Sequence, residues 1–149
     1  MNIRKAISKE TVTLALQARE KSAIIEELVD LLVAAGKVTD RKAVLKCVLE
    51  REKKMSTGMH HGLAIPHGKT DTVEGLVAAV GLIREGVDFD CMDKQPAKIF
   101  ILTVSPANRA GPHIQFLAEI SRVMNRADLR KAILEAPDVD TLYTLLTEN

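Results

Sequence analysis

Two apolar runs near the middle of the chain constrain the fold most. Residues 76–83 and 98–104 carry apolar side chains on alternate faces, with Val, Ile, Leu and Phe prominent among them. Strands of this composition are typically buried on both sides. A chain that contains two of them must supply helices to cover both faces of a central sheet.

The segments around these runs supply the helices. Ser22 is a predicted N-cap of a helix that ends at Gly36, and Asp40 is a predicted N-cap of the next helix. Pro112 predicts the first turn of a third helix. Two further helical segments are predicted at 128–136 and 138–147.

Two shorter pieces complete the predicted sheet. Alternation of apolar and smaller residues predicts a strand over 11–16, and a short apolar piece at 63–65 ends at Pro66. Strands and helices do not alternate regularly, so a doubly wound parallel sheet is not expected. We predict an α/β fold of the α+β-like kind, in which a small mixed parallel and antiparallel sheet has helices on both faces. One domain over 1–149 is expected.

Composition excludes several functional classes. The 21 basic and 20 acidic residues leave a formal net charge of +1, and three Phe and one Tyr are the only aromatic residues of the Phe, Tyr and Trp kind. Neither polyanion binding nor base stacking is indicated, so no nucleic-acid partner is expected. No apolar run approaches the roughly 20 residues of a membrane span. We expect a cytoplasmic protein without stable membrane insertion, whose Cys47 and Cys91 are free thiols.

His67 is the first candidate for chemistry. It stands in the segment Ala-Ile-Pro-His-Gly, between a proline that fixes the backbone and a glycine that permits close approach. A partner molecule could reach an imidazole held in this way. The alternative is a loop histidine whose ring hydrogen-bonds to the backbone.

His113 and Arg51 are the other candidates. His113 follows Pro112 in the first turn of a predicted helix, where unpaired backbone amides attract anions. It also falls on the apolar stripe of that helix, so a core histidine is the alternative. Arg51 projects from the apolar face of its helix, where a charge needs a partner or an anion. Its alternatives are snorkelling or a pair with Glu52 or Asp90.

These residues together resemble a known family. Arg-Glu-Lys at 51–53, Ser-Thr-Gly at 56–58, Gly-Leu-Ala-Ile-Pro-His-Gly at 62–68 and Pro-His-Ile at 112–114 are similar to segments of bacterial phosphotransferase system (PTS) enzyme IIA domains. The type is the fructose/mannitol type, which includes nitrogen-regulatory paralogues. The resemblance covers essentially the whole chain.

The resemblance implies the roles of the three residues. His67 matches the histidine that the family phosphorylates, His113 the second active-site histidine, and Arg51 the arginine that helps to hold the phosphohistidine. The donor would be the small carrier protein HPr or its paralogue, and the acceptor a cysteine of a sugar-specific enzyme IIB. The expected function is therefore that of a phosphotransferase component in sugar uptake, working without a cofactor or metal.

Three points stay open at the level of sequence. A nitrogen-regulatory protein would use the same His67 chemistry to switch its binding to a transporter or regulator. No IIB segment accompanies the 149 residues, so a free-standing IIA or a regulator is expected. His60 and His61 depart from the family pattern, and a metal site built from all four histidines is a third hypothesis.

Two features of the expected site can be stated in advance. One ring nitrogen of His67 must attack phosphorus while the other is held by a hydrogen bond, for which we expect a backbone carbonyl. Met55, Met59 and Leu63 are candidate apolar rim residues for docking a partner, since methionine adapts to varied surfaces. Ordinary packing is the alternative for all three.

Overall fold

The computed structural model describes residues 2–148. Its helices, apart from a short 3₁₀ turn at Lys9–Thr11, are Asn2–Ala6 (α1), Lys21–Ala34 (α2), Arg41–Lys54 (α3), Gly111–Met124 (α4), Ala127–Leu134 (α5) and Val139–Thr147 (α6). Its strands are Val12–Thr13 (β1), Leu63–Ala64 (β2), His67–Lys69 (β3), Val77–Val87 (β4) and Ala97–Ser105 (β5).

The strands form one mixed sheet. Its order is β1, β4, β5 and β2, with β3 also paired to β5. Strands β4 and β5, formed by the two central apolar runs, are antiparallel, whereas the other pairs are parallel. The predicted mixed sheet is confirmed.

Each face of the sheet has its own apolar core. On β5, Ile99 and Ile101 face a core that is shared with α1, α4, α5 and α6. The alternate residues Phe100, Leu102 and Val104 face a second core, shared with α2 and α3. The period of two along the strand divides these residues between the two faces. Helices therefore cover both sides, as the apolar runs predict.

One edge of the sheet is a strand interrupted by proline. Leu63 pairs with Ile99 in β2, and His67 pairs with Thr103 in β3, so the register against β5 is the same on both sides of the break. Pro66 lies between the two pieces and lends its carbonyl to the amide of Thr103 at 3.0 Å. As predicted, the first piece ends before Pro66, but the chain then resumes as a further strand, β3, with His67 as its first residue.

A narrow hairpin lies against the outer side of β2. The amide of Met59 donates to the carbonyl of Leu63 at 2.7 Å, and the amide of Ile65 donates to the carbonyl of Thr57 at 3.0 Å. The two arms run antiparallel, with an isolated bridge between Gly58 and Ala64. The chain before Thr57, which includes Met55, is thereby directed toward the His67 end of the edge strand.

The structure corrects several local predictions. The strand expected over 11–16 is shorter, because a 3₁₀ turn occupies its start and only Val12–Thr13 forms a ladder. Ser22 lies inside the first turn of α2, whose N-cap is Glu20. Helix α1 was not predicted at all. Pro112, by contrast, stands in the first turn of α4 as expected.

Asp40 has the capping role predicted for it. Its carboxylate accepts a hydrogen bond from the amide of Ala43 at 3.0 Å, which pairs one of the free amides at the start of α3. We expect Asp40→Ala to lower the free energy of unfolding by about 1 kcal/mol. Urea denaturation would measure the change.

Ser22→Ala is the matched control for that substitution. Ser22 stands at a helix start but is not a cap, so we expect its replacement to change the free energy of unfolding by less than about 0.5 kcal/mol. Equal effects of the two substitutions would contradict the assignment of Asp40 as the cap.

Candidate functional site

His67 is held at the edge of the sheet with one ring nitrogen committed. Its Nδ1 lies 2.9 Å from the carbonyl oxygen of Ile65. Since a carbonyl only accepts, Nδ1 carries the proton of the neutral ring and Nε2 keeps a lone pair. The expected backbone carbonyl is thus Ile65, whose own amide is bound to Thr57. The half-buried ring presents Nε2 as a base and nucleophile.

His113 stands next to His67. The centroids of the two imidazole rings are 5.3 Å apart, and the ring planes are inclined by 38°. His113 is half-buried in the first turn of α4, and its Nδ1 is buried with no hydrogen-bond partner among the described residues. Burial lowers the pKa of His113, and electrostatic repulsion from the neighbouring His67 and Lys69 lowers it further. Near neutral pH the ring of His113 is therefore uncharged.

Arg51 approaches the same end of the sheet from the other face. It lies one helical turn beyond Cys47 and Val48, the residues of α3 that a side chain at Gly68 would meet. Its Nη1 donates to the carbonyl of Met55 at 2.8 Å. In the described part of the chain, no hydrogen bond joins Arg51 to either imidazole. The structure thus brings His67 and His113 together directly and places Arg51 beside the segment that leads to them.

The pair suggested for Arg51 with Glu52 or Asp90 does not form. Both carboxylates bind Lys21 instead, whose Nζ lies 3.0 Å from Glu52 and 2.9 Å from Asp90. Burial alone would lower the pKa of Lys21, but the hydrogen bonds to Asp90 and Glu52 outweigh it and the pKa is raised. The guanidinium of Arg51 keeps its remaining donors for another acceptor.

Glu52 is a site-building residue that sequence reasoning did not single out. Its buried carboxylate accepts hydrogen bonds from both the amide and the hydroxyl of Thr57. These bonds fix Thr57 at the start of the hairpin, where its carbonyl accepts the amide of Ile65. Because the carbonyl of Ile65 binds the ring of His67, Glu52 indirectly fixes the orientation of that ring. The Glu-to-Thr spacing of five residues, at the end of a helix, was the available signal.

The four histidines do not share one place. The carbonyl of Gly62 accepts hydrogen bonds from Lys98 and Ile99 at the start of β5, so His60 and His61 lie at that end. His67 is the register partner of Thr103, which lies four residues after Ile99 on β5. Four strand residues span about 13 Å, so His67 is about that far from the start of β5. Within residues 2–148, no group of three or more His, Cys, Asp or Glu side chains is placed to hold a metal ion. The geometry contradicts a single metal site built from all four histidines.

The apolar surface near the two imidazoles differs from the predicted rim. Met55 is 70 % exposed and lies on the side of the hairpin directed toward His67, while Ile114, next to His113, is 63 % exposed. Met59 is exposed but pairs with Leu63 further from His67. Leu63 itself is buried in the core, so its assignment to the rim was wrong. Met55 and Ile114 are the better candidates.

Comparison with protein families identifies the family of this chain. Residues 5–149 match the family described as phosphoenolpyruvate-dependent sugar phosphotransferase system, EIIA 2. The chain belongs to this enzyme IIA family. The match covers nearly the whole chain, and the resemblance inferred from the sequence motifs is confirmed.

Curated relatives include proteins of different length. The chain is 40 % identical over 139 residues to the PTS system fructose-specific EIIA component of Haloferax volcanii, covering 93 % of this chain and 90 % of that protein. It is 34 % identical over 149 residues to the PTS system fructose-specific EIIABC component of Bacillus subtilis, covering all of this chain but only 24 % of that longer protein.

Solved structures share the fold. The nitrogen regulatory protein IIA-Ntr of Neisseria meningitidis matches with a TM-score of 0.89 at 26 % identity, covering 97 % of this chain and 99 % of that one. The IIA mannitol protein of Escherichia coli, in a complex with phosphorylated IIB mannitol, matches with a TM-score of 0.82 at 23 % identity, over 96 % and 98 % of the two chains. None of the helices between residues 2 and 148 has the length and hydropathy needed to cross a bilayer.

The close approach of α3 to β3 yields a stability prediction. A Cβ at Gly68 would lie 2.5 Å from Sγ of Cys47 and 3.0 Å from the backbone nitrogen of Val48, so Gly68→Ala must displace the helix. We expect a loss of about 1–3 kcal/mol in the free energy of unfolding. Gly75→Ala is the control, because a Cβ there meets nothing within 4 Å. Equal stability of the two variants, measured in urea, would contradict this packing.

The lowered pKa of His113 makes stability depend on pH. A histidine with a folded-state pKa below its unfolded value stabilises the fold fully above about pH 6.5, and this contribution is lost as pH falls through the folded value. The free energy of unfolding should therefore fall between pH 7.5 and 5.5, and fall less in His113→Asn. The exposed His60→Asn is the control, expected to match wild type. A wild-type pH dependence in His113→Asn would refute the assignment.

Proposed function

We propose that this protein is a phosphocarrier that accepts a phosphoryl group on Nε2 of His67 and passes it to a partner protein. The donor is a phosphorylated carrier protein of the HPr type, and the acceptor is a cysteine of an enzyme IIB in sugar uptake. One observation carries the proposal. The hydrogen bond from Nδ1 of His67 to the carbonyl of Ile65 leaves Nε2 unprotonated, and the centroid of this ring lies 5.3 Å from the centroid of the His113 ring.

The first transfer needs no proton from the protein. The lone pair of Nε2 forms a bond to phosphorus while the bond from phosphorus to the donor atom breaks, and that electron pair returns to the donor. The Nδ1 proton stays in the hydrogen bond to the carbonyl of Ile65, which stabilises the positive charge that develops on the ring. Positioning and charge stabilisation then supply most of the rate acceleration, since the transition state of phosphoryl transfer is loose and in line.

Three groups can stabilise the phosphoryl oxygens. The guanidinium of Arg51 offers charge-assisted donors beyond the one bound to Met55. His113 offers its ring, and a dianion beside it would favour the protonated imidazole that the neighbouring His67 and Lys69 now disfavour. The first turn of α4, which has no side-chain cap at Ala110, adds backbone amides with the positive end of the helix dipole.

Onward transfer reverses the same chemistry. A cysteine thiolate of the acceptor attacks phosphorus, the bond between phosphorus and Nε2 breaks, and the nitrogen regains its lone pair. The exposed Met55 and Ile114 provide apolar contacts for the docked partner. The Escherichia coli IIA mannitol protein, which shares the fold, has been solved with phosphorylated IIB mannitol. That complex supports an IIB-type acceptor for this chain.

The setting of this chemistry is the cytoplasm in our proposal. Donor and acceptor would be the phosphotransferase proteins of the cell interior. Cys47 and Cys91 are free thiols, as a reducing compartment favours. We classify the activity as that of a protein-histidine phosphotransferase component.

A regulatory role is the second candidate. It is favoured by the match to the Neisseria meningitidis nitrogen regulatory protein, at a TM-score of 0.89 over almost the whole chain. Such a protein would be phosphorylated at His67 by an HPr paralogue. The added charge, close to −2 beside an otherwise apolar rim, would then switch its binding to a transporter or regulator.

Phosphoenolpyruvate-dependent labelling tests the proposal. With enzyme I and HPr, wild type should incorporate labelled phosphate and His67→Ala should not, because the nucleophilic nitrogen is gone. His60→Ala is the matched control and should be labelled like wild type. Labelling of His67→Ala at the wild-type rate would overturn the proposal.

The supporting residues should separate the two steps. Arg51→Ala should slow both acceptance and transfer by about 10²-fold, as expected for loss of a charged donor. His113→Ala should still accept label but pass it on poorly. Label transferred from wild type to an IIB cysteine would favour sugar uptake, whereas label retained on His67 with each IIB tested would favour the regulatory role.

A further inference from the structure

Polar atoms without hydrogen-bond partners lie buried on the face of the sheet where the two imidazoles meet. Among the described residues, the side-chain atoms that are buried without a hydrogen-bond partner include Nδ1 of His113, Oγ1 of Thr103 and Oγ of Ser105. Thr103 and Ser105 are 0 % and 1 % exposed. Buried polar atoms are nearly always paired in folded proteins, so three near one site call for an explanation.

Thr103 lies directly beside His67. The two residues are register partners in the parallel β3–β5 ladder, so their side chains project from the same face of the sheet. That face is the one covered by α4, because Ile101, two residues earlier on β5, packs in the same core as Phe116 and Ile120. His113 enters this face from the first turn of α4 and contacts the ring of His67.

The buried nitrogen of His113 needs a group that can both donate and accept. With Nδ1 directed inward, Nε2 is the nitrogen left to face a phosphoryl group. For neutral His113 to donate through Nε2–H, its Nδ1 must be an acceptor and requires a buried donor. Once the ring is protonated, Nδ1–H requires an acceptor instead. A hydroxyl satisfies both states, whereas a backbone carbonyl only accepts and a backbone N–H only donates.

We propose that the hydroxyl of Thr103 is the positioning group of His113: it donates a hydrogen bond to Nδ1, selects the Nε2–H tautomer and aims that N–H at the phosphoryl site on His67. A hydrogen bond between these two unpartnered atoms would remove the desolvation cost of both. The consequence for phosphoryl transfer rests on the proposed function, but the choice of tautomer does not.

Ser105 is the comparison residue on the same strand. Its hydroxyl is equally buried and unpartnered, but it is level with Lys69, and its carbonyl accepts the amide of Thr70 where the chain leaves the sheet. Thr103 is level with His67 itself. The proposal therefore assigns the role to position 103 and none to position 105.

The tautomer of His113 is the direct readout. Nitrogen-15 shifts of the imidazole at pH 8, in unphosphorylated protein, should show mainly Nε2–H in wild type and in Ser105→Ala. Thr103→Val keeps the shape but removes the hydroxyl, and should give a mixture of tautomers. Thr103→Ser restores the hydroxyl and should restore the wild-type spectrum. An unchanged spectrum in Thr103→Val, or a change in Ser105→Ala instead, would overturn the proposal.

Phosphoryl transfer is the second readout. Thr103→Val should be labelled at His67 yet pass the label on at least about tenfold more slowly, since His113 is misdirected, and Thr103→Ser should recover most of the rate. Urea denaturation controls for folding. A Thr103→Val protein that is more stable than wild type and transfers the phosphoryl group at the wild-type rate would show that the hydroxyl does not position His113, and would refute the proposal. Failure of wild type to be labelled would refute the proposed function alone, because the tautomer measurement does not depend on it.

Discussion

The hydrogen bond from the ring of His67 to the carbonyl of Ile65 is the interaction on which the site depends. It determines which nitrogen is free, and it exists because three features hold Ile65 still. Pro66 restricts the residue before it to extended geometry. The hairpin ties the amide of Ile65 to Thr57. Buried Glu52 in turn fixes Thr57, and Lys21 neutralises Glu52. Loss of any of these would loosen the ring of His67 without touching it.

The two cores explain how the site is assembled from distant segments. Alternate residues of one edge strand face opposite layers, so His67 meets α4 while its neighbour Gly68 meets α3. A single residue step thus brings two helices to one point of the edge strand, α4 with its first turn and α3 with its middle. This is why Arg51 and His113, which are 62 positions apart in the sequence, approach the same end of the sheet. The glycine is required because any side chain would push α3 away.

The sequence predicted the covered mixed sheet and the starts of two helices, and the physical reasons are clear. Two runs apolar on both faces demand a covered sheet, and Asp40 and Pro112 have strong positional preferences. The Pro-His-Gly segment singled out His67 as a candidate site residue, because it places a histidine between a rigid and a small residue. Contacts across the fold were harder to predict. The partner of Glu52 proved to be Lys21, and Leu63 proved to be core, because both depend on which elements pack together. Thr103 carried no local signal, since threonine is common in strands.

The interrupted edge strand also bears on how this protein meets other chains. A long, regular edge offers a row of free amides and carbonyls to any strand that comes near, and so invites self-association. Here the proline removes one amide, the hairpin occupies the outer side of β2, and the exposed ladder left at β3 is only three residues long. Backbone pairing at this edge is therefore limited to a short ladder, and contacts there rely mainly on side chains. A surface of that kind suits brief, reversible contacts with several successive partners.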